Sequence, residues 1–148
     1  MVRRVDQNGL KTGQTLTIGL LILGFIVNWW PLVAFVAIAQ LLGGLGASVA
    51  PYRLIYKAIV LPLGIVKPHI IADNPEPHRF AMLVGAVFNG VASLALIGGV
   101  ALLGWALVGI VVILANLNFW LNFCLGCWMY YRFNRLGVPG FTRAPIRE

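Results

Sequence analysis

From Thr12 to Tyr52 the chain carries no charged residue, and from Phe80 to Tyr131 it again carries none. Each run is long enough for two membrane crossings at ~20 residues apiece, joined by a tight turn. In the first run Asn28-Trp29-Trp30-Pro31 supplies that turn, because proline cannot continue a helical ladder and tryptophan favours the headgroup level. This predicts one helix from about Thr15 to Val27, with a turn or so either side, and a second from Pro31 to about Val49. In the second run Gly98-Gly99 and Gly104 offer the break. A third helix is predicted from about Phe80 to Ile97 and a fourth, the longest, from about Trp105 to Tyr131. A helix of that length tilts or reaches beyond the hydrocarbon.

Between the runs, Arg53 and Lys57 lie one turn apart among Leu54, Ile55, Ala58, Ile59 and Leu61, the pattern of a short amphipathic segment in the interface, cut by Pro62. Lys67 to Arg79 is the polar connection, with Pro68, Pro75, Pro77, His69, His78, Asp73 and Glu76. The expected fold is therefore all-α: one polytopic membrane domain of four transmembrane helices arranged as two hairpins. Residues 1–11 form the N-terminus, 12–50 the first hairpin, 51–79 the interfacial connection, 80–131 the second hairpin and 132–148 a basic tail. All charge falls at the two termini and the central connection, so both termini are expected on one side, the cytoplasmic side by the positive-inside rule. Arg53, Lys57, Arg132 and Arg135 are expected at lipid headgroups.

Composition supports this picture. Of 148 residues 60% are hydrophobic and 10% charged, with a mean hydropathy of +0.90. A small domain leaves much of its surface exposed, so water alone cannot be the solvent. The net charge of +7 would point to nucleic acid in a soluble protein, but the basic residues flank apolar runs and form no basic face. Anionic lipid, not nucleic acid, is the expected partner. Arg3 and Arg4 before an apolar run mimic a secretory signal, yet the run closes on the Trp-Trp-Pro turn without a small-residue cleavage site, so the segment is expected to stay on the protein.

Inside the runs, Gly43, Gly44, Gly46 and Ala47 make one helix end small-sided, which suits close helix packing. Gln40, Asn89, Asn116, Asn118 and Asn122 are expected in interhelical hydrogen bonds rather than a transport path. With no ionisable side chain in any predicted span, a proton relay has nothing to run on. His69 and His78 read as residues of a solvated loop, and no histidine lies at depth to ligate haem. No carboxylate pair, nucleophile triad, phosphate loop or metal motif appears, so no enzyme, cofactor or metal is expected from the rest of the chain.

Both cysteines, Cys124 and Cys127, stand in the stretch from Asn116 to Tyr131. Read as one helix at about 100° per residue, this stretch aligns Asn116, Trp120, Phe123, Cys124, Cys127 and Tyr131 on one stripe, with Asn118 and Asn122 on the other side. In soluble redox proteins C-x-x-C opens a helix, where the dipole favours the thiolate. Here it is expected near a helix C-terminus, where the dipole favours the thiol, with Arg132 and Arg135 opposing. Helical geometry would strain a bridge at this spacing, and the cytoplasm is reducing, so the thiols are expected unbridged until a partner engages them. An oxidase of extracytoplasmic thiols would need the pair at the other face and a quinone site. Four readings stay open for the pair: two small packing residues, a dithiol for a thioredoxin-like partner, half of a soft-metal site completed by another chain, and a site of acylation or persulfide formation.

Three pieces, Val5-Asp6-Gln7-Asn8-Gly9-Leu10 with Gln14, Asp73 through Ala81 around Pro77-His78-Arg79-Phe80, and Asn122-Phe123-Cys124-Leu125-Gly126-Cys127, resemble a bacterial membrane family, domain of unknown function 4395. The resemblance implies a small polytopic protein of the bacterial inner membrane and assigns no reaction. Two function classes follow. The first is an accessory subunit of a larger membrane complex, or a homo-oligomer, packed through its glycine-rich and aromatic faces. The second is a thiol–disulfide or sulfur-handling membrane protein that uses Cys124 and Cys127 with a thioredoxin-like partner.

Overall fold

The computed structural model describes residues 4–46, 49–121 and 123–140. Chain order is β1 (Arg4–Asp6), α1 (Gln7–Val27), α2 (Trp30–Gly44), α3 (Pro51–Ile55) running into a π-helical turn (Tyr56–Val60), β2 (Ile70–Ala72), α4 (Pro75–Ile97), α5 (Ala101–Leu121) and α6 (Leu125–Arg135). Helix α1 stops at Asn28, which takes the left-handed conformation (φ 54°) and caps back onto the Gly24 and Phe25 carbonyls. Proline opens α2, α3 and α4, where its missing N–H costs nothing.

Helix α4 is the centre of the bundle, packing against α2, α5 and α6, while α1 packs against α2 and α5. The fully buried core is a small cluster of Leu21, Val33, Val36 and Ala92, with Val108 and Val111 beside it. Most apolar side chains instead face outward: Ile26 is 73% exposed, Leu94 69% and Ile113 61%. Exposure on that scale marks a surface that lipid or other protein covers. Helices α1, α4 and α5 are each long and apolar enough to cross a membrane. Helix α2 is apolar too, but its 15 residues extend only about 22 Å at 1.5 Å per residue, short of a ~30 Å hydrocarbon core. The helices thus mark a membrane protein.

Four expectations need correction. The fold is mostly helical, as expected, but not purely so: β1 and β2 add a two-stranded antiparallel ribbon, Val5 opposite Ile71. The apolar triplet Ile70-Ile71-Ala72 was hidden in the polar connection. The second helix ends at Gly44, not near Val49. The third begins at Pro75, five residues early, so the family-like piece is helix from Pro75 onward, with Asn74 as its N-cap. The fourth is not continuous to Tyr131: α5 begins at Ala101 and ends at Leu121, and a separate α6 begins at Leu125 and packs on α4.

The charged segments gather at one end of the bundle. Lys11 at the start of α1 lies over the ring of Phe119 near the end of α5, and Gly46 beyond α2 meets the Arg79 guanidinium at the start of α4. Asp6 ties this end together. Its carboxylate caps α1 through the Asn8 and Gly9 N–H groups and accepts from the His69 N–H (3.1 Å) and the Tyr56 hydroxyl (2.7 Å). The Asn8 side chain donates to the Lys67 carbonyl at 2.7 Å.

Candidate thiol site

Helix α6 starts where the sequence predicted the interior of a longer one. Cys124 is its N-cap, with extended backbone (φ −93°, ψ 103°), and its sulfur accepts a hydrogen bond from the Cys127 N–H at 3.1 Å. The C-x-x-C therefore sits at a helix N-terminus, where the dipole favours a thiolate, and not near a C-terminus as expected. The sulfurs of Cys124 and Cys127 are bonded to each other, against the expectation of free thiols. The reason is local. Because Cys124 lies outside the helix, its side chain is not bound to helical i, i+3 geometry, and the two Cα atoms stand 5.2 Å apart, inside the ordinary range for a bridge.

Gly126 makes the placement possible. A Cβ there would meet the Ala81 Cβ at 2.6 Å and its Cα at 2.7 Å, so α6 rests directly on the backbone of α4. Further along, Tyr130 packs edge-on against Phe80, and Tyr131 is hydrogen-bonded to the Asn74 side chain. Burial, then the nearby Asp73 charge, raises the Tyr131 hydroxyl above its ordinary pKa despite that hydrogen bond.

This docking brings the pair onto His78. The Cys127 sulfur is 3.5 Å from His78 Nδ1, and His78 Nε2 is 2.8 Å from Asp73 Oδ2. With the carboxylate as acceptor, Nε2 carries the proton and Nδ1 turns its lone pair to the sulfur. Asp73 is held in turn by the Asn74 N–H at 2.8 Å. So His78, expected in a solvated loop, stands on the first turn of α4 in a line Asp73–His78–Cys127. Cys127 is 9% exposed and Cys124 more open.

Behind the bridge, between α1, α4, α5 and α6, lies a cavity of about 140 Å³ with mostly apolar walls. Cys124, His78, Gln14 and Asn118 line it together with Ala81, Val111 and Met129. The buried Oε1 of Gln14 has no hydrogen-bond partner among the described residues.

A family model described as "Domain of unknown function (DUF4395)" matches residues 5–135. The chain belongs to that family. No curated protein and no solved structure matches it. Within this DUF4395 chain, the three sequence pieces quoted above meet at one end: Asp6 anchors the ribbon that leads into Asp73, and His78 faces Cys127.

Other residues singled out from the sequence lie elsewhere. Gln40 accepts from Asn89 Nδ2 at 2.8 Å between α2 and α4, and Gly43 lies against Met82 in the same seam. Asn116 donates to the Val112 carbonyl of its own helix, while Asn118 reaches the cavity. Arg53, Lys57, Arg132 and Arg135 are exposed, Arg132 over the Trp128 ring. Ala47 and Asn122 lie outside the described residues. Sequence reasoning missed Asp73 and His78 as a pair. The signal was present in Asn74-Pro75-Glu76-Pro77, a cap followed by prolines of a helix start, which sets Asp73 and His78 one turn apart.

Proposed function

We propose that this protein is a membrane thiol–disulfide redox protein whose reactive centre is the Cys124–Cys127 bridge. The carrying observation is the contact of Cys127 with His78 Nδ1, with Asp73 behind it. The accessory-subunit reading drew on the uncharged interior, the small size and the apparent lack of a catalytic set; the Asp73–His78–Cys127 line weakens the last of these.

The chemistry is exchange with a soluble thioredoxin-like dithiol. A partner thiolate attacks the more open Cys124 sulfur, forming a mixed disulfide and releasing Cys127 as thiolate. His78 Nδ1 takes up the proton that the partner thiol loses on becoming a thiolate and delivers it to the Cys127 sulfur; in the reverse reaction it takes that proton back as the bridge re-forms. The second partner thiol then loses its proton and displaces Cys124, whose sulfur takes up that proton, leaving an oxidised partner and a reduced pair. Two electrons and two protons pass from partner to protein, and the same steps in reverse oxidise the pair, the direction being set by the two reduction potentials. The α6 N-terminus stabilises thiolate character at Cys124 throughout.

The membrane setting belongs to the same reading. Four crossings, with α2 as the short one, both termini and the thiol site at the cytoplasmic face of a bacterial inner membrane, agree with the clustering of charge and with the positive-inside rule. A bridge facing a reducing compartment is one that turns over.

Trapping tests the proposal. Cys127→Ser leaves Cys124 able to hold a partner, and a mixed disulfide with a thioredoxin-like protein is expected by mass spectrometry of native membranes. His78→Ala is expected to slow exchange ~10²-fold or more, the scale of a lost general acid–base group. Wild-type membranes in which the bridge never changes state with the thioredoxin pool would defeat it. So would stable co-migration with a large assembly whose function survives Cys→Ser changes.

A further inference from the structure

Opening the bridge would free two thiols beside His78. Cys124, Cys127 and His78 present two sulfurs and one imidazole nitrogen that all lie within 4.8 Å of one another. We infer that the reduced pair, together with His78, is a zinc-binding site, with Asp73 orienting the histidine. Of the redox reading above, this rests only on the part that the bridge can be opened.

Distances favour it. From Zn–S ≈ 2.3 Å and Zn–N ≈ 2.0–2.1 Å, tetrahedral geometry puts sulfur and nitrogen ligands about 3.6 Å apart and two sulfurs about 3.8 Å apart. His78 Nδ1 and the Cys127 sulfur already stand at 3.5 Å. Opening the bridge lets the two sulfurs separate by side-chain rotation, with no change needed in the 5.2 Å between their Cα atoms.

The groups that would hold the histidine in place are present as well. Zinc-bound histidines give their other ring N–H to a carboxylate, which fixes the tautomer and strengthens the ligand. His78 does so towards Asp73 at 2.8 Å, and Asp73 is itself anchored by the Asn74 N–H. The Cys127 N–H aimed at the Cys124 sulfur favours the thiolate that a metal needs. C-x-x-C is also the spacing of zinc half-sites, and imidazole with thiolates selects zinc over harder ions. Three protein ligands leave a fourth position. Because Cys124 and His78 both line the cavity, water or a further ligand can complete the tetrahedron from there. Binding exchanges two thiol protons for the ion and releases them, while oxidation to the disulfide removes both sulfur ligands. The site is thus gated by redox state.

The test uses the full-length protein in detergent, reduced with a phosphine and freed of excess reagent. Co²⁺ titration is expected to give a tetrahedral thiolate spectrum at one ion per chain. Zn²⁺ is expected to displace it with release of about two protons per ion, as the two thiolates require. The bridged protein is expected to bind at least 100-fold more weakly. His78→Ala and His78→Gln are expected to weaken Zn²⁺ binding at least 10-fold, and Asp73→Asn by 10–100-fold. Helical content by circular dichroism identifies any variant that fails to fold. Binding by reduced protein no tighter than by a Cys124→Ser/Cys127→Ser variant overturns the inference. Equal affinity in well-folded wild type and both His78 variants also overturns it. Exchange with thioredoxin, assayed on the same preparation without metal, is an independent readout: exchange without zinc binding removes only this inference, and zinc binding without exchange removes only the redox reading.

Discussion

At Asp6 a single carboxylate carries the order of the whole polar end. Burial alone would raise its pKa, but hydrogen bonds from the Tyr56 hydroxyl and from the His69, Gly9 and Asn8 N–H groups outweigh it and hold the carboxyl below its ordinary value. Its partner moves the other way: burial, then the hydrogen bond to Asp6 and its charge, push Tyr56 up to about 12. The signs are opposite. Asp6 stabilises the fold above the unfolded carboxylate value of about 4, and this is lost as pH falls through the lower native value. Tyr56 stabilises it below about pH 10, and this is lost as pH rises towards about 12. Thermal unfolding across pH is expected to show both declines in wild type. Asp6→Asn should flatten the acid one, and Tyr56→Phe should remove the Tyr56 contribution to the alkaline one. Gly126 is the second decisive residue. Gly126→Val should cost about 1–3 kcal/mol through overpacking on Ala81, measurable as a lowered Tm in detergent. It should also slow thiol exchange, because α6 moves away from His78.

The α2–α4 seam is held by close approach and one polar contact. At Gly44 a Cβ would meet Leu83 at 2.7 Å, so the helices touch where the sequence is smallest. Asn89 is fully buried, its Nδ2 bonded to Gln40 and its Oδ1 without a partner among the described residues. Gln40→Leu should therefore destabilise by about 1 kcal/mol, the scale of hydrogen bonds between helices in lipid. The double change Gln40→Leu/Asn89→Leu should recover part of that loss, since removing both partners leaves nothing unsatisfied. Unfolding titrated with SDS in mixed micelles measures both, and an equal or larger loss in the double variant would contradict the account. At α5–α6, by contrast, no proline or glycine pair announces the break. The nearest glycine, Gly126, is inside α6 and serves the contact with α4.

Across the whole molecule the alternation of uncharged runs and charged connections sets the topology to be tested. A reporter active only outside the cytoplasm should be active when fused after Trp30 or Leu102 and silent when fused after Glu148. Activity from the last fusion would invert the assignment of sides. The ribbon between β1 and β2 gathers residues 4–6 and 70–72, and so brings the N-terminus to the turn that carries Asp73. A deletion of Arg4–Asp6 should accordingly loosen the thiol site although it touches neither cysteine, read as faster alkylation of the reduced pair.

The sequence by itself determined what depends on solvent and composition. Uncharged runs of that length have no stable home in water, so helices in lipid, the Asn28–Trp29 turn and the Gly98–Gly99 break were legible from hydropathy and local backbone chemistry. It also marked Cys124 and Cys127 as the place where reactive side chains gather. Tertiary structure alone decided the chemistry of that place. Whether Cys124 is helical or a cap depends on α4 offering Ala81 to Gly126, a contact between residues far apart in the chain. Ile70–Ala72 becomes a strand only because Arg4–Asp6 lies beside it, and His78 becomes a partner of Cys127 only once α6 has folded back. Local propensity is a weak prior in such segments, and the free energy of packing, which no window of sequence contains, settles them.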